Sequence, residues 1–162
     1  MVYFTGRYEN SVDSKGRLAM PAKFRKLFPP EHANTVILTR GVAKCITAYT
    51  VDEWQYLLQV IDNLDLSAIE KDNLSRFFLG NMAEVNFDSQ GRILIPVHLI
   101  QHAELKGDAL ISGIGNRIEI WNAEHFKNQI VASEQHVTEI LSKYSLARRQ
   151  EGLDPSRPIS ER

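Results

Sequence analysis

Two short segments of the chain place an aspartate four residues before an arginine, on either side of a turn. They read Asp13-Ser-Lys-Gly-Arg17 and Asp88-Ser-Gln-Gly-Arg92. An arginine guanidinium is a planar fork of N–H donors that matches phosphate oxygens or the O6 and N7 atoms of guanine. The same spacing also suits an Asp–Arg pair that only ties the turn together. The residues alone leave both interpretations open.

The neighbouring residues predict what holds these side chains. Each aspartate can accept from its own backbone ahead of it, and each glycine tolerates a positive φ, so both segments are typical of tight turns. A short apolar run follows each arginine and predicts a strand that ends at Pro21 or Pro96. Since proline is well tolerated in a first helical turn, short helices are predicted over 21–28 and 96–103.

The two segments belong to an internal repeat. Residues 13–24 (DSKGRLAMPAKF) and 88–99 (DSQGRILIPVHL) share five identical positions, and five more exchange one apolar residue for another. The match continues downstream with a three-residue shortening in the second copy, near Pro29-Pro30. Each unit has roughly 45 to 50 residues, which is marginal for independent folding. The repeat therefore predicts two copies that pack together as an internal pseudo-dimer.

Further patterns predict the remaining elements. A hairpin is expected in each copy, from strands 36–39 with 45–49 and 109–111 with 117–121. Helical spacing runs from Trp54 to Ile61, and Ser67 with Glu70 forms a capping-box pattern.

The C-terminal region is also predicted to be helical. Asn122 is expected to cap a helix through Phe126 and Ile130, and Ser133 is expected to begin another. The last stretch, 152–162, is proline-interrupted and is predicted to be a loose tail.

Composition and charge limit the class of protein. The 162 residues carry a net charge of -1, and 43% are hydrophobic, as in a folded globular protein. This net charge is the sum of a basic and an acidic region that nearly cancel. Residues 1–28 hold six basic and two acidic side chains, whereas residues 50–76 hold two basic and six acidic ones. This distribution fits either an anion-binding first copy or two solvated faces, and charge alone favours the solvated faces.

Patterns of enzyme chemistry are weak. Gly113-Ile-Gly115 lacks the third glycine of a dinucleotide-binding fingerprint and is interpreted as part of a turn. His98 and His102 could share a helix face, but no HExxH pattern accompanies them, so surface histidines are the simpler interpretation. Cys45 is the sole cysteine, which excludes an intrachain disulfide, and its apolar surroundings predict a buried small side chain. We expect no enzyme, metal site or cofactor.

Other general features point to a cytosolic protein. The first ten residues lack the apolar core of a signal peptide, and no apolar run approaches the ~18 residues that a membrane span needs.

The doubled motif resembles the MraZ family of bacterial transcription regulators. The stretch GRYENSVDSKGRLAMPAKFR is very similar to the family's N-terminal signature, and FFLGNMAEVNFDSQGRILIP resembles the start of its second repeat. The resemblance covers roughly residues 4–130. It implies an α+β fold of two SpoVT/AbrB-like repeats, rich in β-hairpins, that form an intrachain pseudo-dimer of the swapped-hairpin, double-psi barrel type with connecting and C-terminal helices.

The resemblance also implies boundaries and site residues. Repeat 1 would span 4–54, a helical connector 55–80, repeat 2 81–126, and C-terminal helices with the tail 127–162. Side chains expected to contact double-stranded DNA are Arg7, Lys15, Arg17, Gln90 and Arg92. Residues expected to position them are Asp13, Gly16, Asp88 and Gly91.

The two copies are not expected to contribute equally. Lys15 matches the usual lysine of the first copy, whereas Gln90 departs from a basic residue at the equivalent position. We therefore expect Arg17→Ala to weaken DNA binding more than Arg92→Ala.

The implied function is sequence-specific regulation, more specifically repression, at repeated boxes in the promoter of the protein's own division and cell-wall gene cluster. A ring-shaped homo-oligomer, in the cytoplasm and associated with the nucleoid, is the expected state. An antitoxin-type module that captures a protein and also contacts DNA is the alternative. It is weaker, since such proteins usually carry a single hairpin copy and a disordered tail.

Overall fold

The fold is α+β, and the predicted pairing of two repeats within one chain is confirmed. A computed structural model describes residues 2–32 and 34–150, with side chains described as far as residue 144. The predicted tail at 152–162 lies outside the described residues.

Strands and helices follow one another in the same order in the two repeats. The first repeat contains β1 (Phe4–Ser11), β2 (Arg17–Ala19), α1 (Ala22–Arg25), β3 (Thr35–Arg40) and β4 (Cys45–Tyr49). Two connector helices follow: α2 (Val51–Asp62), which begins within the predicted bounds of repeat 1, and α3 (Ala68–Phe78). The second repeat contains β5 (Ala83–Asn86), β6 (Arg92–Leu94), α4 (Val97–His102), β7 (Asp108–Gly115) and β8 (Ile118–Asn122), and α5 (Ala123–Gln150) follows.

The repeats are interlocked by exchanged strands. One six-stranded sheet has the order β1-β7-β8-β4-β3-β5, and β2 pairs with β6 in a second sheet. The first strand of each repeat thus joins the hairpin of the other repeat, β1 on β7 and β5 on β3, both antiparallel. Reversing the strand order and exchanging the repeats reproduces the same sheet, so the architecture has an approximate two-fold relation between its halves.

Gly113 allows β1 to pack closely against β7. It is not part of a turn, so the interpretation from the sequence was wrong at this residue. It lies inside β7, opposite Gly6 of β1. A Cβ atom there would come within 2.6 Å of the backbone carbon of Phe4, so the close approach of the swapped strand requires glycine. Gly115 ends the strand at φ +83° and leads into the turn before β8.

The main core lies between the six-stranded sheet and the β2–β6 ribbon. Leu18 and Ile93, paired across the ribbon, are fully buried. Phe24 of α1 packs edge-on against Phe4 and Tyr8 of β1, at ring-centroid distances of 5.6 and 5.1 Å. These contacts hold α1 against β1 of the six-stranded sheet.

A second apolar cluster lies under the connector helices. Trp54 of α2 is buried against Ile37 and Tyr49, with Phe78 of α3 packed at its margin, whereas Tyr56 is 61% exposed. Of these connector aromatics, Trp54 therefore belongs to the core.

The predicted helix caps at Ser67 and Asn122 are confirmed. Ser67 and Glu70 exchange both hydrogen bonds of a capping box. The Asn122 side chain accepts from the backbone N–H groups of Glu124 and His125.

Two helix boundaries differ from the predictions. Helix α1 ends at Arg25, because tighter i→i−3 hydrogen bonds carry the chain on to Phe28. The helix predicted to begin at Ser133 is wrong, since α5 runs unbroken through that position. The Ser133 hydroxyl donates to the carbonyl of Ile130 within the helix, and no glycine or proline interrupts 123–150. Among the described helices, none is long and apolar enough to cross a membrane.

Candidate nucleic-acid interface

The first motif forms a turn organised by one carboxylate. Oδ1 of Asp13 accepts from the backbone N–H groups of Lys15 and Arg17, both at 2.9 Å, and Oδ2 accepts from Nε of Arg17 at 2.7 Å. These bonds, led by the backbone N–H of Arg17, hold the pKa of Asp13 below its usual value. The carboxylate is therefore charged at neutral pH and fixes both the turn and its arginine.

The second motif repeats this geometry. Asp88 accepts from the N–H groups of Gln90 and Arg92 at 2.9 Å and from Nε of Arg92 at 2.7 Å. Its pKa is lowered for the same reason, chiefly by the backbone N–H of Arg92. Two segments 75 residues apart in the chain thus form the same structure.

The Asp–Arg pairs tie the turns together and also orient the guanidinium groups. Each aspartate occupies only the Nε side of its arginine. Within the described residues, the side chains of Arg17 and Arg92 make no further hydrogen bond. Their side chains are 34% and 27% exposed. The terminal Nη nitrogens, which are the fork that recognises phosphate or guanine, therefore remain available.

The β2–β6 ribbon brings the two arginines onto one face. Arg17 lies opposite Leu94, Leu18 opposite Ile93, and Ala19 opposite Arg92. Because side chains alternate across a strand, burial of the central Leu18–Ile93 pair directs both arginines to the outer face. Diagonal neighbours in such a ribbon are about 7–8 Å apart. The arrangement is a pair of outward guanidinium groups related by the approximate two-fold.

The turn glycines connect each repeat to the other. Gly16 and Gly91 have φ values of +81° and +73°, which glycine adopts without strain. The carbonyl of Gly16 accepts from the N–H of Ile95 at 2.9 Å, and that of Gly91 accepts from Met20 at 3.1 Å. Each turn is thereby held by the strand that leaves the opposite turn.

The predicted site residues do not all lie together. Lys15 and Gln90 occupy the exposed tips of the two turns, beside Arg17 and Arg92. Arg7 is exposed on β1 opposite Ser112, six residues before Asp13. Arg7 therefore lies outside both turns, with at most about 20 Å of extended chain between it and Asp13.

Sequence reasoning missed Arg25 in this region. The guanidinium of Arg25, at the end of α1, lies against Gly91 in the opposite repeat. The repeat alignment contained a signal, because Arg25 corresponds to the apolar Ile100 and breaks the pattern of conservative exchange.

The cysteine and histidines considered for enzyme or metal chemistry make contacts typical of structural residues. The predicted burial of Cys45 is confirmed, and this burial raises the pKa of its thiol to about 12. Nδ1 of His102 accepts from Nε of Arg40 at 3.1 Å, whereas His98 faces the carbonyl of Asn81. No cluster of three or more potential metal-ligating side chains exists in the part of the chain that the structure describes.

Comparisons with known proteins agree with the doubled motif. The family described as "MraZ protein, putative antitoxin-like" matches residues 3–77 and again residues 78–144. A "Transcriptional regulator MraZ" of Natranaerobius thermophilus is 37% identical over 146 residues, which cover 88% of this chain and 99% of the relative. Proteins of the same name from Caldanaerobacter subterraneus subsp. tengcongensis and Cytophaga hutchinsonii are 35% and 33% identical. These alignments cover 87% and 93% of this chain and 98% and 100% of the relatives.

Proposed function

The chain belongs to the MraZ family, and from this membership and the geometry of the paired turns we propose that it is a sequence-specific, DNA-binding transcriptional regulator. The family is one of transcriptional regulators, so no catalytic role is assigned. The observation that carries the proposal is the pair of outward guanidinium forks at Arg17 and Arg92 on one face of the β2–β6 ribbon.

The proposed contacts divide by chemistry. Arg17 and Arg92 present their Nη groups to guanine O6 and N7 or to phosphate. Lys15 adds a mobile charge that attracts phosphate without regard to sequence, and Gln90 offers an amide at the second tip. Asp13, Gly16, Asp88 and Gly91 hold the turns in shape. Arg7, on β1 and outside both turns, would contact the DNA backbone.

One chain offers too few contacts for tight binding. A good bidentate base contact supplies about 1–3 kcal/mol of discrimination. Several chains joined in a ring would engage tandem boxes together and multiply weak contacts through effective concentration. Exposed apolar side chains on α5, among them Ile130, Val137 and Ile140, provide surface for such association.

The biological setting follows from the resemblance. The proposed target is a set of repeated boxes in the promoter of the protein's own division and cell-wall gene cluster, where bound protein represses transcription in the nucleoid region of the cytoplasm. The antitoxin-type alternative is less well supported, because both halves of this chain carry the complete aspartate–arginine turn.

The test is a fluorescence-anisotropy titration of the full chain with duplex DNA from upstream of its gene, at several salt concentrations. A scrambled duplex of equal composition is the control. A complex that prefers the upstream sequence and weakens linearly in log salt is expected. Binding that ignores sequence, or no binding, would reject the proposal. Light scattering coupled to size exclusion tests the proposed ring separately, and a monomeric mass in solution would contradict it.

A further inference from the structure

The cation Arg25 lies beneath the second turn, although it belongs to the first repeat. A Cβ atom on Gly91 would overlap the terminal nitrogen and central carbon of the Arg25 guanidinium and would lie 2.8 Å from its Nε. Burial of the neighbouring Phe24 fixes the position of α1. The glycine thus leaves space for a guanidinium pressed flat against the turn that carries Arg92.

This guanidinium is incompletely satisfied within the chain. Nε of Arg25 is buried and has no hydrogen-bond partner among the described residues. None of the described acidic side chains forms an ion pair with it, whereas Arg17, Arg76 and Arg92 each pair with an aspartate. The residue as a whole is partly exposed, and its terminal nitrogens are not among the described buried atoms that lack a partner. Because no described carboxylate neutralises the Arg25 guanidinium, its terminal nitrogens can donate to an anion supplied from outside the chain.

The equivalent position beneath the first turn is apolar. Gly16 is contacted by Ile100, whose terminal methyl carbon would lie 3.2 Å from a Cβ atom at that glycine. Ile100 and Arg25 correspond under the 75-residue offset of the repeat. The turn with a lysine at its tip therefore rests on isoleucine, and the turn with glutamine at its tip rests on arginine. Each turn has two cations, Lys15 with Arg17 and Arg25 with Arg92.

We propose that Arg25, although it belongs to the first repeat, is a phosphate-binding residue of the second turn. It compensates for the absence of a lysine at position 90, where that turn has glutamine. The terminal nitrogens of Arg25 donate to a backbone phosphate of the DNA whose neighbouring bases or phosphates face Arg92. The inference rests on the proposed function. If Arg25 binds phosphate, Arg17→Ala and Arg92→Ala should differ less in their loss of DNA affinity than Gln90 alone predicts. The reason is that Arg25 supplies the positive charge that the tip of the second turn lacks.

The test compares charge variants in the anisotropy titration. Arg25→Ile, which installs the residue found at the equivalent position, should reduce the slope of log affinity against log salt by about one unit for each second turn that engages the DNA. Affinity at 0.1 M salt should fall roughly 5- to 10-fold. Arg25→Lys should retain the slope. The double variant Arg25→Ile/Gln90→Lys, which gives the second turn the chemistry of the first, should recover it.

Lys26→Ala is the matched control, because it removes one exposed positive charge from the adjacent position. It should leave the slope unchanged, and an equal loss at Lys26 would overturn the specific role of Arg25. Thermal unfolding gives the second readout. If Arg25 had only a structural role, Arg25→Ile would lower the Tm and leave the salt slope unchanged. That result would also overturn the inference.

Arg25→Gln, which keeps a planar polar group against Gly91, is made in parallel in case the isoleucine variant does not fold, and it should show the same loss of slope. Failure of the wild-type protein to prefer its upstream DNA would instead reject the proposed function itself.

Discussion

Arg17 offers the most direct test of how the paired turns would recognise DNA. The Asp13 carboxylate engages Nε of Arg17 at 2.7 Å and leaves both Nη groups for a ligand. If these groups hold guanine O6 and N7, Arg17→Ala should cost about 1–3 kcal/mol, which is about 5- to 150-fold in Kd. An oligomer repeats the loss at every engaged turn, so the low end of that range is a minimum for tandem sites.

Arg17→Lys separates charge from shape. Lysine keeps the positive charge but lacks the rigid fork. We expect the salt slope to stay near that of the wild type, while the preference for upstream over scrambled DNA falls. Anisotropy titrations with both duplexes measure the two quantities.

The control for Arg17 is Arg76→Ala. Arg76 forms a similar i,i+4 pair with Asp72 at 3.2 Å, but on α3 in the connector. This variant should bind DNA as the wild type does. A lysine variant of Arg17 that discriminates as well as arginine would refute fork-based recognition, and unchanged affinity in Arg17→Ala would refute any contact.

Three further predictions concern the support of the site. The pKa values of Asp13 and Asp88 are lowered in the folded chain, so their stabilisation is complete above the ordinary carboxyl pKa and is lost as pH falls through the folded value. Urea unfolding of Asp13→Asn/Asp88→Asn should therefore depend less on pH between about 5 and 2 than that of the wild type, and parallel curves would contradict this. Burial raises the pKa of Cys45 to about 12, so a thiol reagent at neutral pH should modify the native chain far more slowly than the chain in guanidinium chloride. Equal rates would show that the thiol is accessible. Leu18→Ala removes a fully buried side chain beneath the ribbon and should lower the free energy of unfolding by about 2–5 kcal/mol in urea titrations; a loss below 1 kcal/mol would mean that the ribbon repacks.

Local features of the site could be predicted from the sequence. The bond from Nε of Arg17 to Asp13 depends on a four-residue spacing within one turn, and the capping box at Ser67 depends on a three-residue spacing. Such interactions form between near neighbours, so the order of residues determines them. The internal repeat then predicted that Asp88 and Arg92 would copy the first turn.

Contacts between the repeats could not be predicted in the same way. The meeting of Arg25 with Gly91 depends on how α1 packs against the opposite turn, which no spacing rule describes. The error at Ser133 has a different cause. Serine is common at helix N-caps, but within a helix its hydroxyl can bond a preceding carbonyl, and the pattern alone does not distinguish the two.

The exchanged strands have a consequence for synthesis on the ribosome. Phe4 of β1 pairs with Gly115 of β7, so the first strand emerges long before its partner exists. Until about 110 further residues have been translated, β1 of the nascent chain has an unpaired edge. Folding is therefore expected to be slow and to finish only after most of the chain has been translated. Contacts between residues far apart in the sequence generally slow folding. A gene truncated between the repeats would produce a chain able to complete its sheet only by borrowing strands from a second copy.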